Sequence, residues 1–322
     1  LARIGKSQEF QNAYSSDIPA QGAFLIATEV MRADLMARAL EGAIVRPRAL
    51  VVPMSTLTAA WPVVDETTHA GSVMGGITAE WLDEGQEPAD STAAFGMLEL
   101  RARQLSLYTE IPNTLLADAP MLNVWINQHY PEALRWAEDL AFVKGNGVGK
   151  PLGFLNAPCA VAVAKETSQA ADTILWKNLL KMFSRVVPSA LSRFIWVANL
   201  DTLPELGTMA QNVGTGGSLV WIGEGQGDET PPVRILGRPV YFSEKVPTLG
   251  DEGDITAWDP QSYVVGDREM MMVDSSTHFK FRSGKTAVKL VERVDGRTTV
   301  LSALTPETGS NTLSPVVKLA AR

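Results

Sequence analysis

Residues 121–153, MLNVWINQHYPEALRWAEDLAFVKGNGVGKPLG, predict the longest helix of the chain. Apolar side chains recur along them at steps of three and four, which is the pattern of a helix that buries one face. Pro131 lies inside the pattern and removes one backbone hydrogen bond, so we expect a bend near it. The run GNGVGK and Pro151 do not allow the helix to continue. The stretch therefore predicts a helix at about residues 120–143 that ends in a glycine-rich stop.

The segment before this helix predicts a long β-hairpin at residues 60–109. Residues 77–82 alternate between apolar and polar side chains, and the alternation resumes at Leu98 and Leu100 after the polar run EGQEPADS. At Arg103 the apolar phase slips by one residue, which predicts a bulge or a departure from the pairing. Because an isolated two-stranded hairpin is at best marginally stable in water, we expect it to lie on another surface, such as a second subunit.

The hairpin and the segment 280–297 have opposite charge. Residues 65–90 contain seven acidic residues and no Lys or Arg, whereas residues 280–297 contain six basic residues and two acidic ones. We hypothesise that one subunit's hairpin lies across the basic segment of its neighbour. Exposed ion pairs would then select the register, and apolar contacts, including those of Leu98, would supply more of the adhesion. The candidate interface residues are Asp65, Glu66, Glu80, Trp81, Asp83, Glu84, Glu87, Asp90, Phe95, Lys280, Arg282, Lys285, Lys289 and Arg293.

After the glycine-rich stop, the pattern is that of an α/β layer. A helix is predicted at 174–187 behind the caps Asp172 and Thr173, and a continuous apolar run at 194–198 predicts a buried strand. A second helix is predicted from Leu203. Residues 211–232 are too rich in glycine for regular structure and predict a functional or mobile loop. Further strands are predicted within 233–246, 255–258 and 270–304.

The two ends of the chain are expected to be extensions. Residues 1–23 are polar and mixed and predict an arm that needs a partner to become ordered, followed by a helix within 24–40. Residues 305–322 are expected to form a tail that reaches a neighbour or an inner surface, or a loose terminus. The first residue is Leu, which is consistent with a cleaved precursor or with an omitted start.

Composition excludes several classes of protein. The chain has 322 residues, 45% of them hydrophobic and 20% charged, which is typical of a globular protein. No apolar run reaches the ~20 residues of a membrane span, so we expect no membrane partner. A formal net charge of -8 argues against a protein whose main surface grips nucleic acid, so any DNA contact should be weak.

The motifs of common catalytic and cofactor sites are absent from the sequence. GNGVGK differs from a phosphate-binding loop, because Lys144 replaces its first glycine and Pro151 replaces its hydroxyl residue. The three histidines do not have metal-site spacing, and Cys159 is the only cysteine. We therefore expect no catalytic, cofactor or metal site and no enzymatic activity.

The order of these parts resembles the major capsid protein of tailed bacteriophages, which has the Hong Kong ninety-seven-like fold. Four stretches carry the resemblance: the hairpin at 79–105, the long helix and its terminator at 111–156, ILGRPVYFSEKVP at 235–247, and the closing strands at 253–300. The resemblance implies an α+β fold. Its expected parts are an arm at 1–23, a peripheral domain at 24–59, 110–155 and 269–304, an extended hairpin at 60–109, an axial domain at 156–268 and a tail at 305–322.

The resemblance also implies a function. The chain is expected to assemble into hexamers and pentamers of an icosahedral shell around double-stranded DNA, together with a portal and possible cement or decoration protein. Its expected location is the virion, after assembly in the host cytoplasm. Some members of the family join subunits covalently through a hairpin lysine and an asparagine, but no lysine occurs between Lys6 and Lys144 and no asparagine between Asn212 and Asn311. We therefore predict a non-covalent shell.

Two other functions remain open from the sequence. The shell protein of a bacterial encapsulin-like nanocompartment shares the fold and would enclose protein cargo in place of DNA. A small soluble hydrolase is a more remote alternative, and it would not assemble into particles.

Overall fold

The computed structural model describes residues 41–118, 120–213, 216–219 and 234–322. This part of the chain contains two sheets, one of four strands and one of six, and two separate two-stranded ribbons. The expected arm at 1–23 and the expected helix within 24–40 lie outside the described residues.

The four-stranded sheet has the strand order β1-β12-β13-β4. β1 runs parallel to β12, and the other neighbouring pairs are antiparallel. Only residues 264–267 of β12 pair with β1, so among the described residues β12 is a sheet edge from Arg268 onward. The strands are β1 Leu50–Pro53, β4 Arg103–Pro112, β12 Tyr263–Lys280 and β13 Lys285–Thr298.

Two helices follow β4 and cover this sheet: α1 Asn113–Asp118 and α2 Pro120–Lys144. α2 is the long helix that the apolar spacing predicts, and Pro131 lies within it. Ile126 and Leu134 of α2 pack against apolar side chains of β4 and β13. The helix thereby buries one face, as its sequence pattern requires.

The glycine-rich stop after α2 depends on close backbone contacts. The Gly145 N–H donates to the Ala141 carbonyl at 2.8 Å, and the Gly153 N–H donates to the Gly145 carbonyl at 2.9 Å. A Cβ atom on Gly145 would lie 2.1 Å from the Pro151 carbonyl oxygen. Only glycine fits there, because any side chain would prevent the chain from folding back so closely on residue 151.

The six-stranded sheet has the order β5-β14-β11-β6-β10-β9. One face packs on two short helices, α3 Trp176–Ser184 and α4 Leu203–Thr208. The other face packs on the end of α2 and on the four-stranded sheet, so this second core joins the two sheets. The strands are β5 Val161–Val163, β6 Ile195–Ala198, β9 Arg234–Ile235, β10 Arg238–Phe242, β11 Ile255–Trp258 and β14 Val316–Leu319.

The cap predicted for α3 is wrong. The helix begins at Trp176, and the Asn178 side-chain oxygen accepts a hydrogen bond from the Leu175 N–H at 2.8 Å. Asp172 instead has a left-handed backbone with φ of 55°, in the turn that precedes the helix. The side chain of Asn178, in the first turn of the helix, therefore provides the capping hydrogen bond.

The C-terminal segment is part of the fold, so the expected loose or reaching tail at 305–322 is wrong for its last residues. β14 lies between β5 and β11, and its residues Val316, Val317 and Leu319 are fully buried. Arg322 donates from Nη1 to Asp254 Oδ1 at 3.0 Å, and both side chains are fully buried. The end of the chain thus completes the six-stranded sheet.

The projecting hairpin is built differently from the expectation. β2 Thr58–Val64 pairs with β3 Phe95–Arg101, whereas residues 78–82 form no strand. The ladder is therefore shorter, and residues 65–94 connect its strands as a long loop, here named the acidic loop. The following strand, β4, belongs to the four-stranded sheet, so the hairpin ends at Arg101 and not at the expected 109.

The predicted phase slip is present where β3 ends. Leu98, Leu100 and Ala102 are buried, and from Arg103 the half-buried positions on β4 are the odd-numbered Leu105 and Leu107. The slip occurs because the chain leaves β2 and joins β13 at this point.

The glycine-rich segment contains a short ribbon where irregular structure was expected. β7 Ala210–Val213 pairs with β8 Gly216–Leu219. Most of the remaining loop, at 220–233, lies outside the described residues.

Candidate assembly surfaces

The acidic loop has an anchored base and an exposed tip. At the base, the His69 N–H donates to the Thr305 carbonyl at 2.8 Å, and the Gly71 N–H donates to Glu307 Oε2 at 2.7 Å. Asp65 and Glu66 are half-buried there, and Glu66 Oε1 lies 2.7 Å from the His69 ring. The base is therefore fixed to the segment that follows β13.

The tip, residues 78–93, carries the other acidic candidates. Its described hydrogen bonds stay within the loop, such as the bond from the Ala89 N–H to Glu80 Oε2 at 3.4 Å. Trp81 is fully exposed, and Phe95 beside the tip is 68% exposed. Leu98, however, is only 3% exposed and packs in the core of its own chain, so its expected role in adhesion is wrong. Exposed tip residues are Glu80, Trp81, Asp83, Glu84, Glu87 and Asp90.

The basic candidates fall into two groups. Lys280 and Lys285 both pair with Glu110, at 3.2 and 3.3 Å, and Arg293 lies 3.8 Å from Glu269. A hydrogen bond from Tyr108, followed by those from the two lysines, lowers the pKa of the Glu110 carboxyl. These three cations are therefore already partly neutralised within one subunit.

Arg282 and Lys289 form the second group. Neither has an ion pair within the described residues, and both side chains are exposed. They are the two proposed basic contacts that remain available to a neighbour.

The β12 edge adds an exposed apolar surface that sequence reasoning missed. Beyond β1 the strand exposes Met270, Met272, Val273 and Phe279, and Phe281 follows in the turn. Phe279 lines an apolar hollow of about 340 Å³ together with residues of β4 and β13. The run of three methionines at 270–272 in the middle of β12 was the available signal, because consecutive apolar residues on an unpaired strand expose apolar area at the sheet edge.

Behind these surfaces lies an ionic junction that joins the segment 41–49, α2, β12 and β13. Arg46 donates from Nη1 to Asp267 Oδ2 at 2.6 Å, from Nη2 to Glu292 Oε1 at 2.9 Å, and from Nε to Glu138 Oε1 at 3.1 Å. One guanidinium thus holds three carboxylates from three different elements.

A second buried pair lies beside it. Lys245 Nζ donates to Asp139 Oδ2 at 2.8 Å, and the two Asp139 oxygens also accept from the backbone N–H groups of Ile44 and Val45. Both charged side chains are buried and hydrogen-bonded, as buried charges must be to persist. The pair fixes residues 44–45 against α2.

Burial gives the ionic junction an unusual titration. Burial, and then the negative charge of Glu138, raises the pKa of Glu292 to about 7, although Arg46 acts in the opposite direction. Burial also raises the pKa of Glu138. With three carboxylates around one arginine, the junction can take up a proton near neutral pH.

The described residues offer little that could support catalysis. Among them, no three His, Cys, Asp or Glu side chains are grouped so as to hold a metal ion. Cys159 is buried, and burial raises the pKa of its thiol, which disfavours the reactive thiolate. Within the same residues, no helix is both long enough and apolar enough to cross a membrane.

Several solved structures are similar to this chain. The capsid of an empty GTA particle has a TM-score of 0.70 and 18% identity, covering 96% of this chain and 99% of that chain. A chain of Mycobacterium phage Bobi has a TM-score of 0.63 and 17% identity, covering 94% and 98%. The capsid of the cyanophage P-SCSP1u has a TM-score of 0.54 and 10% identity, covering 92% and 93%. These likenesses establish the fold as that of tailed-phage capsids.

Among curated protein sequences, none matches this chain. A family model, that of the phage capsid family, matches residues 22–307. The match spans the four-stranded sheet, α2, the projecting hairpin and every strand of the six-stranded sheet except β14, and it favours a capsid shell over a nanocompartment or a hydrolase. The chain therefore belongs to the phage capsid family.

Proposed function

We propose that this chain is the major capsid protein that assembles into the hexamers and pentamers of an icosahedral shell around phage double-stranded DNA. The observation that carries the proposal is the family match over residues 22–307. Exposed apolar side chains on the tip and on the β12 edge support it, since contiguous apolar patches mark interaction surfaces. The role is structural, and the chain catalyses no reaction of its own.

The first test is the size of the purified full-length chain. Sedimentation velocity and negative-stain microscopy should find closed shells, alone or after the salt concentration is changed. A monomer at every concentration and in every salt would contradict the proposal.

The contents of particles from lysed host cultures distinguish the two kinds of shell. Phage heads should contain double-stranded DNA. Particles with protein cargo and no DNA would favour the nanocompartment instead.

We further propose that the acidic loop of one subunit lies across the basic segment 280–297 of its neighbour. Each exposed ion pair contributes only about 0.2–1 kcal/mol, but the contact repeats around every ring of subunits. Arg282→Glu with Lys289→Glu should leave the subunit folded and prevent shells from forming, as measured by light scattering. Lys165→Glu with Lys177→Glu makes the same charge change elsewhere and should assemble normally. Normal particles from the first variant would contradict the contact.

The shell is proposed to be non-covalent, because the chain lacks a lysine in the hairpin and an asparagine in the closing strands. Boiling mature heads in SDS should release single chains on a gel. A ladder of SDS-resistant oligomers would contradict this.

A portal, a possible cement protein and weak contact with the packaged DNA complete the proposal, with assembly in the host cytoplasm and the virion as the final location. Mass spectrometry of purified heads should find a portal protein at low copy number. A cement protein would be present in numbers close to those of the shell subunit.

A further inference from the structure

A polar cleft lies where the hairpin joins the body of the subunit. It has a volume of about 410 Å³, within the range of ligand-binding clefts. Its walls come from the end of β3, the start of β4, the glycine-rich stop and the end of β13. The charged side chains that line it are Glu99, Arg101, Arg103, Lys150, Asp295 and Arg297.

The charges in this cleft are unbalanced. Four cationic side chains face two carboxylates, and Asp295 Oδ2 already accepts the Arg101 backbone N–H at 2.7 Å. Within the described residues, none of the four cations has a side-chain hydrogen bond or an ion pair, in contrast to Lys280 and Lys285 on the β12–β13 turn. The cleft therefore has an excess of two positive charges in a protein whose formal net charge is -8.

The chain itself contains a segment of matching charge. Residues 80–90 carry five acidic side chains and no basic one, and the tip they belong to makes described hydrogen bonds only within the loop. The first 40 residues carry four acidic and four basic side chains, so they are not complementary to a cationic cleft. Residues 220–233 carry three acidic side chains, which makes them the weaker match.

We propose that the acidic tip of one subunit occupies this cleft on a second copy of the chain. The inference rests on the proposed function and identifies where the tip makes its main contact, namely the cleft at the Arg297 end of the segment 280–297. Arg282 and Lys289 then receive the remaining acidic side chains of the loop. Such a contact joins two different surfaces of neighbouring copies, and repeated contacts of this kind close into rings. Complementary charge selects the partner and speeds its association, while Trp81 contributes apolar contact area.

The test is a charge swap in the full-length chain. Asp83→Lys with Glu84→Lys and Glu87→Lys should lower the yield of shells by at least about tenfold, since like charges then face each other. Adding Arg103→Glu and Lys150→Glu should restore most of the yield. Adding Arg282→Glu and Lys289→Glu instead should restore less of the yield, because the cations of the cleft still repel the reversed tip. Circular dichroism and the melting temperature of each variant establish that its subunits are folded. Arg103→Gln with Lys150→Gln is a milder variant of the cleft, because it removes the two charges without reversing them.

Three results would overturn the inference. Full rescue by Arg282→Glu with Lys289→Glu, and none by Arg103→Glu with Lys150→Glu, would place the tip at the other end of the strands. If Glu224→Lys with Asp228→Lys and Glu229→Lys restores the yield of shells of the Arg103→Glu, Lys150→Glu variant, the segment 220–233 is the occupant of the cleft. If the Arg103→Glu, Lys150→Glu variant assembles normally but binds a short DNA duplex more weakly than the unmodified chain, the ligand of the cleft is the phosphate backbone of DNA. If the unmodified chain forms no particles, the proposed function fails before the cleft is tested.

Discussion

The ionic junction and the projecting tip differ in whether their side chains find partners within the same subunit. In the core that joins the two sheets, Phe154 stacks on Trp258 with ring centroids 4.6 Å apart, and at the ionic junction Arg46 binds three carboxylates of the same chain. On the projecting side, Trp81 and Phe279 are exposed, and the tip forms described hydrogen bonds only within itself. The junction pairs its charges within a single subunit, whereas the projecting side has polar and apolar groups that only another molecule can cover.

This contrast explains how one chain can be both a stable subunit and a shell component. Substitutions at the junction should change folding and leave the chemistry of the surfaces intact. Substitutions on the tip should change assembly and leave folding intact. The following changes are matched pairs that test this separation.

Removal of β14 should have the largest effect. Its three fully buried side chains lie between β5 and β11 in the six-stranded sheet, and burial of each contributes about 1.5–3 kcal/mol. A chain that stops after Ser314 should be insoluble or unfolded by circular dichroism. Replacing residues 81–92 with a Gly/Ser linker, which removes more residues, should leave the subunit folded. Equal folding of the two variants would show that β14 is not needed for the sheet.

Two tryptophan substitutions compare the core with the tip within one residue type. Trp258→Ala should cost about 4 kcal/mol, because it leaves a cavity beside Phe154. Trp81→Ala should change the free energy of unfolding by no more than about 0.5 kcal/mol, while it lowers the yield of shells. Urea unfolding of the subunits and light scattering of the assembly reaction measure the two effects. A destabilised Trp81 variant would mean that the tip packs on its own subunit.

A pair of arginines tests the ionic junction. Arg46→Ala should destabilise the subunit by about 3 kcal/mol, since three clustered carboxylates lose their common cation. Arg282→Ala should not change the stability, because it has no ion pair in the described part of the chain. Thermal unfolding at fixed pH compares them, and an equal loss in both variants would refute the separation.

The smallest expected effect is a pH dependence caused by Glu292. Its pKa is raised from 4.5 to about 7, so the folded subunit keeps a proton that the unfolded chain has lost. This stabilisation is complete below the unfolded pKa and disappears as the pH rises through about 7. Between pH 5 and pH 8 the subunit should lose about 2 kcal/mol of stability from this group.

Glu292→Gln should remove this loss and make the subunit more stable at pH 8, as measured by urea unfolding at the two pH values. Glu84→Gln on the exposed tip is the matched control and should leave the difference unchanged. An unchanged pH dependence in the Glu292 variant would show that the carboxyl is not protonated in the junction.

The sequence predicted those elements whose signal is local. α2 has a full apolar stripe and a glycine stop, and the buried run at 194–198 contains β6. The phase slip after Ala102 is also local, because a change of sheet moves the buried face by one residue. The strand expected at 77–82 is wrong, because alternation alone does not supply a pairing partner. The ladder uses β2 instead, where Pro62 is tolerated because the ribbon has only two strands.

The features that could not be predicted depend on residues far apart in the chain. β14 pairs with strands about 60 and 150 residues earlier, and its four residues alone have no distinctive pattern. The ionic junction brings together Arg46, Glu138, Asp267 and Glu292, and the cleft brings together the ends of three separate strands and the glycine-rich stop. Among the candidate interface residues, Lys280, Lys285 and Arg293 already have partners, and no sequence pattern indicated this because Glu110 and Glu269 lie on other strands of the same sheet.

Amide hydrogen exchange of unassembled subunits and of intact shells tests the central claim most directly. If copies of this chain cover each other, peptides from the tip and from the β12 edge should exchange much more slowly in shells than in subunits. Peptides from β14 and from the end of α2 should be equally protected in both states. Tip and edge peptides that exchange at the same rate in shells and in subunits would contradict the account.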